Sequence, residues 1–339
     1  MKWSIEKANK WHKEKGWLLG FNYVPSSAVN STEMWQAITY DRETIKCELK
    51  LAARTGFNSC RVFLQYLVWE NERERFIETL SDFCGIAETY GLSVMPILFD
   101  DCAFSGLQPY LGPQNPPRHG VHNSGWTPSP GSLIADDPSK EPSLCEYVKS
   151  VIGAFKDDNR IVIWDLYNEP GNNNRGSIGL TLLDKAFGWA REIDPSQPLT
   201  VGAWIDEDYN IRFAELSDVL SFHDYRPIEE SRGLIKKLKQ YNRPIYCTEW
   251  LCRQNGNTFE SHLPLYTSEI AGAYNWGMFL GKTQTNLCGS TIFGEPDANP
   301  ELWQHDLFYT DGRPYRQEEI TFIENFAAEK IKTKKDGSI

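Results

Sequence analysis

No run in this 339-residue sequence approaches the ~20 apolar residues needed to span a bilayer. No apolar stretch follows the charged N-terminus MKWSIEKANKWHKEKGW, so a secretory leader is not expected. The eight Cys, at 47, 60, 84, 102, 145, 247, 252 and 288, lack the close spacing of a zinc site. Several lie in apolar, strand-like segments and read as reduced core thiols of a cytoplasmic protein. Positive charge is in deficit, 35 basic against 46 acidic residues, a net −11 that argues against nucleic acid or an anionic membrane as partner. Histidine is scarce, six in all. Only His223 ends an apolar run, whereas a metal-dependent barrel hydrolase needs several His at strand ends. No metal and no cofactor are expected. Repeats, low-complexity stretches and linkers are also missing.

What is abundant is aromatic: 12 Trp and 15 Tyr. Such rings fill a large core, and flat ones also stack on the C–H faces of sugars. Short apolar runs alternate with longer helical patterns, the signature of a parallel α/β fold. The runs fall at 17–24, 57–65, 92–100, 161–167, 198–204, 218–223, 244–250 and 274–281. Helical patterns follow at about 41–55, 71–90, 141–156, 178–193, 207–217, 231–241 and 260–273, and a last one covers 315–332. Eight strand–helix units close a barrel whose interior is filled by side chains. An open doubly wound sheet would need a G-x-G-x-x-G after the first run, and there is none. The expectation is one catalytic (β/α)₈ TIM-barrel domain over 1–339, with long loops after strands three and eight.

The segment 101–139 breaks the rhythm with seven Pro and five Gly. It follows strand three directly, on the face where barrels carry their active sites. Its prolines lower the entropy lost on ordering. The expectation is that it folds over the barrel mouth and blocks one end of a cleft, bringing Trp126, His119 or His122 to a terminal sugar.

Asn168-Glu169-Pro170 ends the apolar fourth strand, where Pro stops the ladder. Cys247-Thr248-Glu249-Trp250 closes the seventh. One carboxylate alone reads as a cap or a buried ion pair. Two on strands four and seven of one barrel converge across its mouth, and glycoside hydrolysis needs such a pair: an acid to protonate the departing oxygen and a carboxylate to act at the anomeric carbon. Arg61, inside strand two, needs a buried anion, either one of these or a structural partner. His223 and Tyr225 end strand six, and Trp276 is expected within strand eight. In the long segment after strand eight, Trp303, His305 and Asp306 either reach the cleft or pack.

The ordered set of a strand-two Arg, Asn-Glu-Pro on strand four, His-x-Tyr on strand six, Glu on strand seven and Trp on strand eight resembles the retaining glycosidases of clan A, most closely the cellulase- and mannanase-like glycoside hydrolase family 5. The resemblance implies that Glu169 is the acid/base and Glu249 the nucleophile. It implies that Asn168 binds the sugar 2-hydroxyl, Arg61 keeps Glu249 ionised, Tyr225 donates to Glu249, His223 contacts the same site, and Trp276 lies under the reacting sugar. The substrate it implies is a β-linked glucoside, mannoside or xyloside; the lack of a leader and of a binding module points to a short oligosaccharide, and Trp126 and Trp303, in the segments after strands three and eight, are further candidate sugar contacts. An inactive carbohydrate-binding barrel would have lost a Glu or the Arg, and all three are present. A transglycosylase would use the same site with a different acceptor.

Overall fold

The computed structural model describes residues 1–104, 106–204 and 207–335. Eight parallel strands run in the order β5-β4-β3-β2-β1-β8-β7-β6. They are β1 Leu18–Tyr23, β2 Ser59–Phe63, β3 Ser93–Asp100, β4 Trp164–Asn168, β5 Leu199–Gly202, β6 Leu220–His223, β7 Ile245–Trp250 and β8 Gly272–Asn275. The ring closes between β5 and β6 through a parallel bridge, Ala203 with Phe222, and the bonds Asp218 N to Leu199 O and His223 N to Ala203 O, both 2.8 Å. This is a (β/α)₈ barrel, as the run count predicts. Its core lies between the strands and the surrounding helices, where Ile45, Leu80, Val148, Leu183 and Leu263 are buried with Val62, Leu98 and Leu166.

Side chains fill the barrel interior. Tyr274 crosses it and bonds Ser59 at 2.9 Å. A Cβ on Gly20 would stand 2.1 Å from the Tyr274 ring, so β1 must carry glycine opposite it. The bottom is sealed by Trp3 and the helix Ile5–Lys15, packed on Val162, Val219 and Tyr246. That helix is absent from the sequence reading. It is capped by Ser4, has Glu6 in its first turn and has Lys13 and Lys15 in its last, but its highly charged sequence has only a narrow apolar stripe.

One strand is displaced from its expected place. The sequence puts strand eight at 274–281, but the ladder pairs Gly272 with both Leu18 and Tyr246 and ends at Asn275. Gly277, at φ 76°, then turns the chain away. Trp276 therefore follows the strand. The aromatic run YNWGMF has strand composition, whereas the ladder begins at a glycine that packs closely under Leu18. The helix expected at 71–90 is Arg73–Thr89, and a short helix that the sequence reading lacks, Tyr66–Asn71, precedes it.

The long segment after β3 docks on the loops after β1 and β8. Gln36 and Gly112 exchange two bonds, and Asn30 Nδ2 donates to Gly125 O. On the other side Asn123 N donates to Thr283 O, and His122 N to Thr291 Oγ1. No helix among the described residues is long and apolar enough to cross a membrane. All eight cysteines are free, and five are buried.

Candidate active site

The strand ends carry the chemistry because their ladders are irregular. Register shifts fall between Asp165 and Asn168 on β4, between Phe222 and His223 opposite β7, and between Cys247 and Trp250 opposite β8. Bulges of this kind re-aim side chains. Glu169 follows β4 at φ 47°, a left-handed conformation that is strained for a residue with a side chain. Leu251, just past Glu249 and Trp250, stands at φ 83° with its N–H held by Asn257.

Arg61 organises the floor. It is fully buried and each of its five N–H groups is used. Nε and Nη2 reach Asp165 Oδ2 at 3.0 and 2.7 Å, and Nη2 also reaches Asn168 Oδ1 at 2.7 Å. Nη1 reaches Asn22 Oδ1 at 2.7 Å and Glu249 Oε1 at 2.9 Å. The sequence reading leaves Arg61 between a catalytic and a structural anion, and the structure gives it one on each side.

Tyr225 donates its hydroxyl to Glu249 Oε2 at 2.8 Å. His223 Nδ1 lies 2.6 Å from Glu169 Oε1 and 3.5 Å from Glu249 Oε2. Glu169 Oε2 accepts from the Cys102 thiol at 3.2 Å and from Asn172 Nδ2. Burial keeps the Cys102 thiol and the Tyr225 hydroxyl protonated by raising both well above their ordinary values. One oxygen of each Glu and one His223 nitrogen lie within 4.8 Å of one another. Such a trio can ligate a metal ion, but the Arg61 cation and the Tyr225 hydroxyl already occupy Glu249.

Burial raises the Glu169 carboxyl, but donation from His223 and then from Cys102 and Asn172 holds it below the usual range. Burial also raises Glu249, with the Glu169 charge adding to it, against His223, Arg61 and Tyr225, and the net shift is upward. These surroundings thus favour the negative charge on Glu169.

The structure brings together Arg61, Asn168, Glu169, His223, Tyr225 and Glu249. Trp276 stands beside them, half-buried, its ring 5.6 Å from Phe63 and 6.1 Å from Trp126. Trp126 is 1% exposed, which leaves no ring face for a sugar; it packs behind Trp276, with Nε1 donating to Asp100. The sequence reading has Trp126 as a sugar contact, and burial corrects that. Trp303 stacks on Tyr315 at 4.4 Å and meets Tyr309 edge-on at 4.6 Å, so its indole packs. His305 backs Tyr225, ring centroids 5.6 Å apart, and Asp306 accepts from Thr285. His122 is buried against Leu287 and His305, while His119 is exposed.

Sequence reasoning missed Asp165, Asp100, Cys102, Asn22, Asn172 and Gly202. Asp165 had a signal: an acid inside the apolar run IVIWDLY calls for a buried cation. Gly202 had none. A Cβ there would stand 3.0 Å from Arg61 Nη2, 3.1 Å from His223 Nε2 and 3.3 Å from Asn168 Oδ1.

The cellulase model of glycosyl hydrolase family 5 matches residues 120–286. A β-1,4-xylanase from Dictyoglomus thermophilum is 29% identical over 113 residues, 30% of this chain. The chain covers 27% of the length of that xylanase. Among solved structures, an exo-β-1,4-mannosidase from Opitutaceae bacterium strain TAV5 superposes with a TM-score of 0.63 at 18% identity, over 93% of this chain and 59% of that one. A family 5 mannosidase from Rhizomucor miehei superposes with a TM-score of 0.61 at 14% identity, over 95% of each chain. At these identities the superpositions speak for the barrel, and the matched segment speaks for the family. This chain is therefore a (β/α)₈ barrel that over residues 120–286 is similar to glycosyl hydrolase family 5.

Proposed function

We propose that this chain is a retaining β-glycosidase that cleaves β-linked glucosides, mannosides or xylosides of short oligosaccharides, with Glu169 as acid/base and Glu249 as nucleophile. One observation carries the reading: a partly buried carboxylate just past β4 and a buried one on β7, with oxygens within 4.8 Å of each other. Retaining pairs have carboxyl groups about 5–5.5 Å apart, whereas inverting pairs leave room for a water at about 6.5–9.5 Å.

In the first step a Glu249 oxygen bonds to the anomeric carbon as the glycosidic C–O bond breaks. The departing oxygen takes a proton from Glu169. In the second, Glu169 removes a proton from water, the hydroxyl bonds to the anomeric carbon, and the ester to Glu249 breaks. These roles require the proton on Glu169, the reverse of the balance its surroundings favour. In the proposed mechanism the bound sugar shifts the proton to Glu169. Asn172 reaches Glu169 from a loop and Cys102 is a weak donor, so both yield to the glycosidic oxygen. Arg61 and Tyr225 stay on Glu249, and His223 Nδ1 lies within reach of both carboxylates as a route for the proton.

Trp276 lies under the reacting sugar in this reading, and Asn168 donates to its 2-hydroxyl. The segment after β3, docked between the loops after β1 and β8, narrows the cleft and favours short substrates. The mannosidases and the xylanase above make mannosides and xylosides the first substrates to try beside glucosides. Mixing the protein with aryl β-glycosides and following the first product by proton NMR tests the reading. The β anomer is expected to appear first and then mutarotate; the α anomer first means inversion and overturns the covalent mechanism.

Gly202→Ala is expected to lower kcat/KM about tenfold, because its Cβ displaces three site residues by tenths of an ångström, and placement errors of ~1 Å can cost about a hundredfold. Unchanged kinetics would show that the site tolerates the shift.

A further inference from the structure

Asn168 is held from both sides by ionisable groups, the Arg61 cation and the Asp100 carboxyl, which burial pushes up to about 7 against three N–H donors that favour its charged form. Its Oδ1 accepts from Arg61 Nη2 at 2.7 Å, and its Nδ2 donates to Asp100 Oδ1 at 2.8 Å. Asp100 ends β3 directly opposite Asn168 in the ladder and is 3% exposed. Its Oδ1 also accepts from Cys102 N at 3.0 Å, and its Oδ2 accepts from Trp126 Nε1 at 2.8 Å. The backbone of Asp100 is pinned as well, by an antiparallel bridge to Ser129 with bonds of 2.7 and 3.0 Å. The long segment after β3 thus grips Asp100 twice, once through its main chain and once through Trp126.

A primary amide can turn over, exchanging oxygen and nitrogen at almost no cost in shape. At Asn168 the turn would set N–H against the Arg61 donor and oxygen against the Asp100 carboxylate, making both contacts repulsive. Charge-assisted bonds are the strong ones, so this amide has one orientation. Its nitrogen has two hydrogens. One goes to Asp100, and the second has only the Cys102 sulfur, 3.4 Å away, a weak acceptor that gives way to a hydroxyl.

We propose that Asp100 is a positioning residue for recognition of the sugar 2-hydroxyl: it locks the Asn168 amide with an N–H presented to that hydroxyl, and Trp126 holds Asp100 in place. This rests on the glycosidase reading above, and it gives the long segment after β3 a part in the chemistry that it performs without touching the sugar.

The test compares kcat/KM on a 4-nitrophenyl β-glycoside and on its 2-deoxy analogue, for wild type, Asp100→Asn and Trp126→Phe. Asp100→Asn keeps the size but turns one acceptor into a donor, so either Asn168 or Trp126 faces a mismatch. Trp126→Phe keeps one ring and removes the donor together with the rest of the indole, so only the difference between the two substrates is read. The 2-deoxy compound differs in intrinsic reactivity, and taking variant against wild type on each substrate cancels that difference. Asp100→Asn is expected to lose about tenfold or more on the parent glycoside and less than about threefold on the 2-deoxy analogue, as befits a lost bond to a charged group. Trp126→Phe should give the same pattern, smaller. Equal losses on both substrates, with wild type favouring the 2-hydroxyl, would overturn the role of Asp100 alone. A wild type that turns over neither glycoside would overturn the glycosidase reading, and this proposal with it.

Discussion

Arg61→Met is expected to remove most activity and much of the stability together. The guanidinium lies between Asp165 and Glu249, and all three groups are buried. Methionine fills the stem volume but leaves two carboxylates without their cation. Breaking a buried pair from one side costs about 3–5 kcal/mol because the remaining charge is stranded. Asn22 and Asn168 lose a donor as well, so the Asn168 amide is free to turn. The expected kinetic loss is on the order of 10²–10³ in kcat/KM, the range seen when a fixed electrostatic partner of a reacting group is removed. Lysine should rescue poorly, since one ammonium cannot serve acceptors that the planar fork reaches on three strands. Thermal unfolding and kinetics on an aryl β-glycoside, measured side by side, decide it. Activity within about twofold of wild type, against the ~1.4 kcal/mol that a tenfold change represents, would show that Arg61 is structural only.

Glu249→Ala is expected to have the larger kinetic effect, a fall of about 10⁴-fold or more, because in the proposed mechanism it deletes the atom that forms the covalent bond. Its effect on stability should be small or favourable. Glu249 is buried beside Glu169, and removing it relieves repulsion while leaving Arg61 paired with Asp165. Loss of activity with stability kept separates this residue from Arg61.

The framework was legible because barrel strands announce themselves as short apolar runs. Seven of the eight strands fall within their expected segments or one residue beyond, and the eighth was shifted because an aromatic run outside the ladder has the same composition as one inside it. Glu169 and Glu249 stood out as acids at the ends of such runs. Asp100 did not, although it also ends a run. Its meaning comes from standing opposite Asn168 in the ladder, and register between strands 68 residues apart is not written in either one. Cys102 and Gly202 were invisible for the same reason. Trp126 and Trp303 were over-read. Composition marks an aromatic as able to stack on sugar, but only the packing of the loops decides which rings are left open, and these two are covered by Trp276 and Phe63 and by Tyr315 and Tyr309.

In the proposed mechanism Glu249, and not Glu169, attacks the anomeric carbon. Azide is small enough to enter the space a missing carboxylate leaves, and it attacks from the face that the carboxylate occupied. The direct measurement is therefore the configuration of the glycosyl azide formed from an activated aryl β-glycoside by the Glu249→Ala variant, read by proton NMR. The expected result is restored turnover and the α-glycosyl azide. The β-glycosyl azide from this variant, with the α product arising from Glu169→Ala instead, would contradict the claim and exchange the two roles.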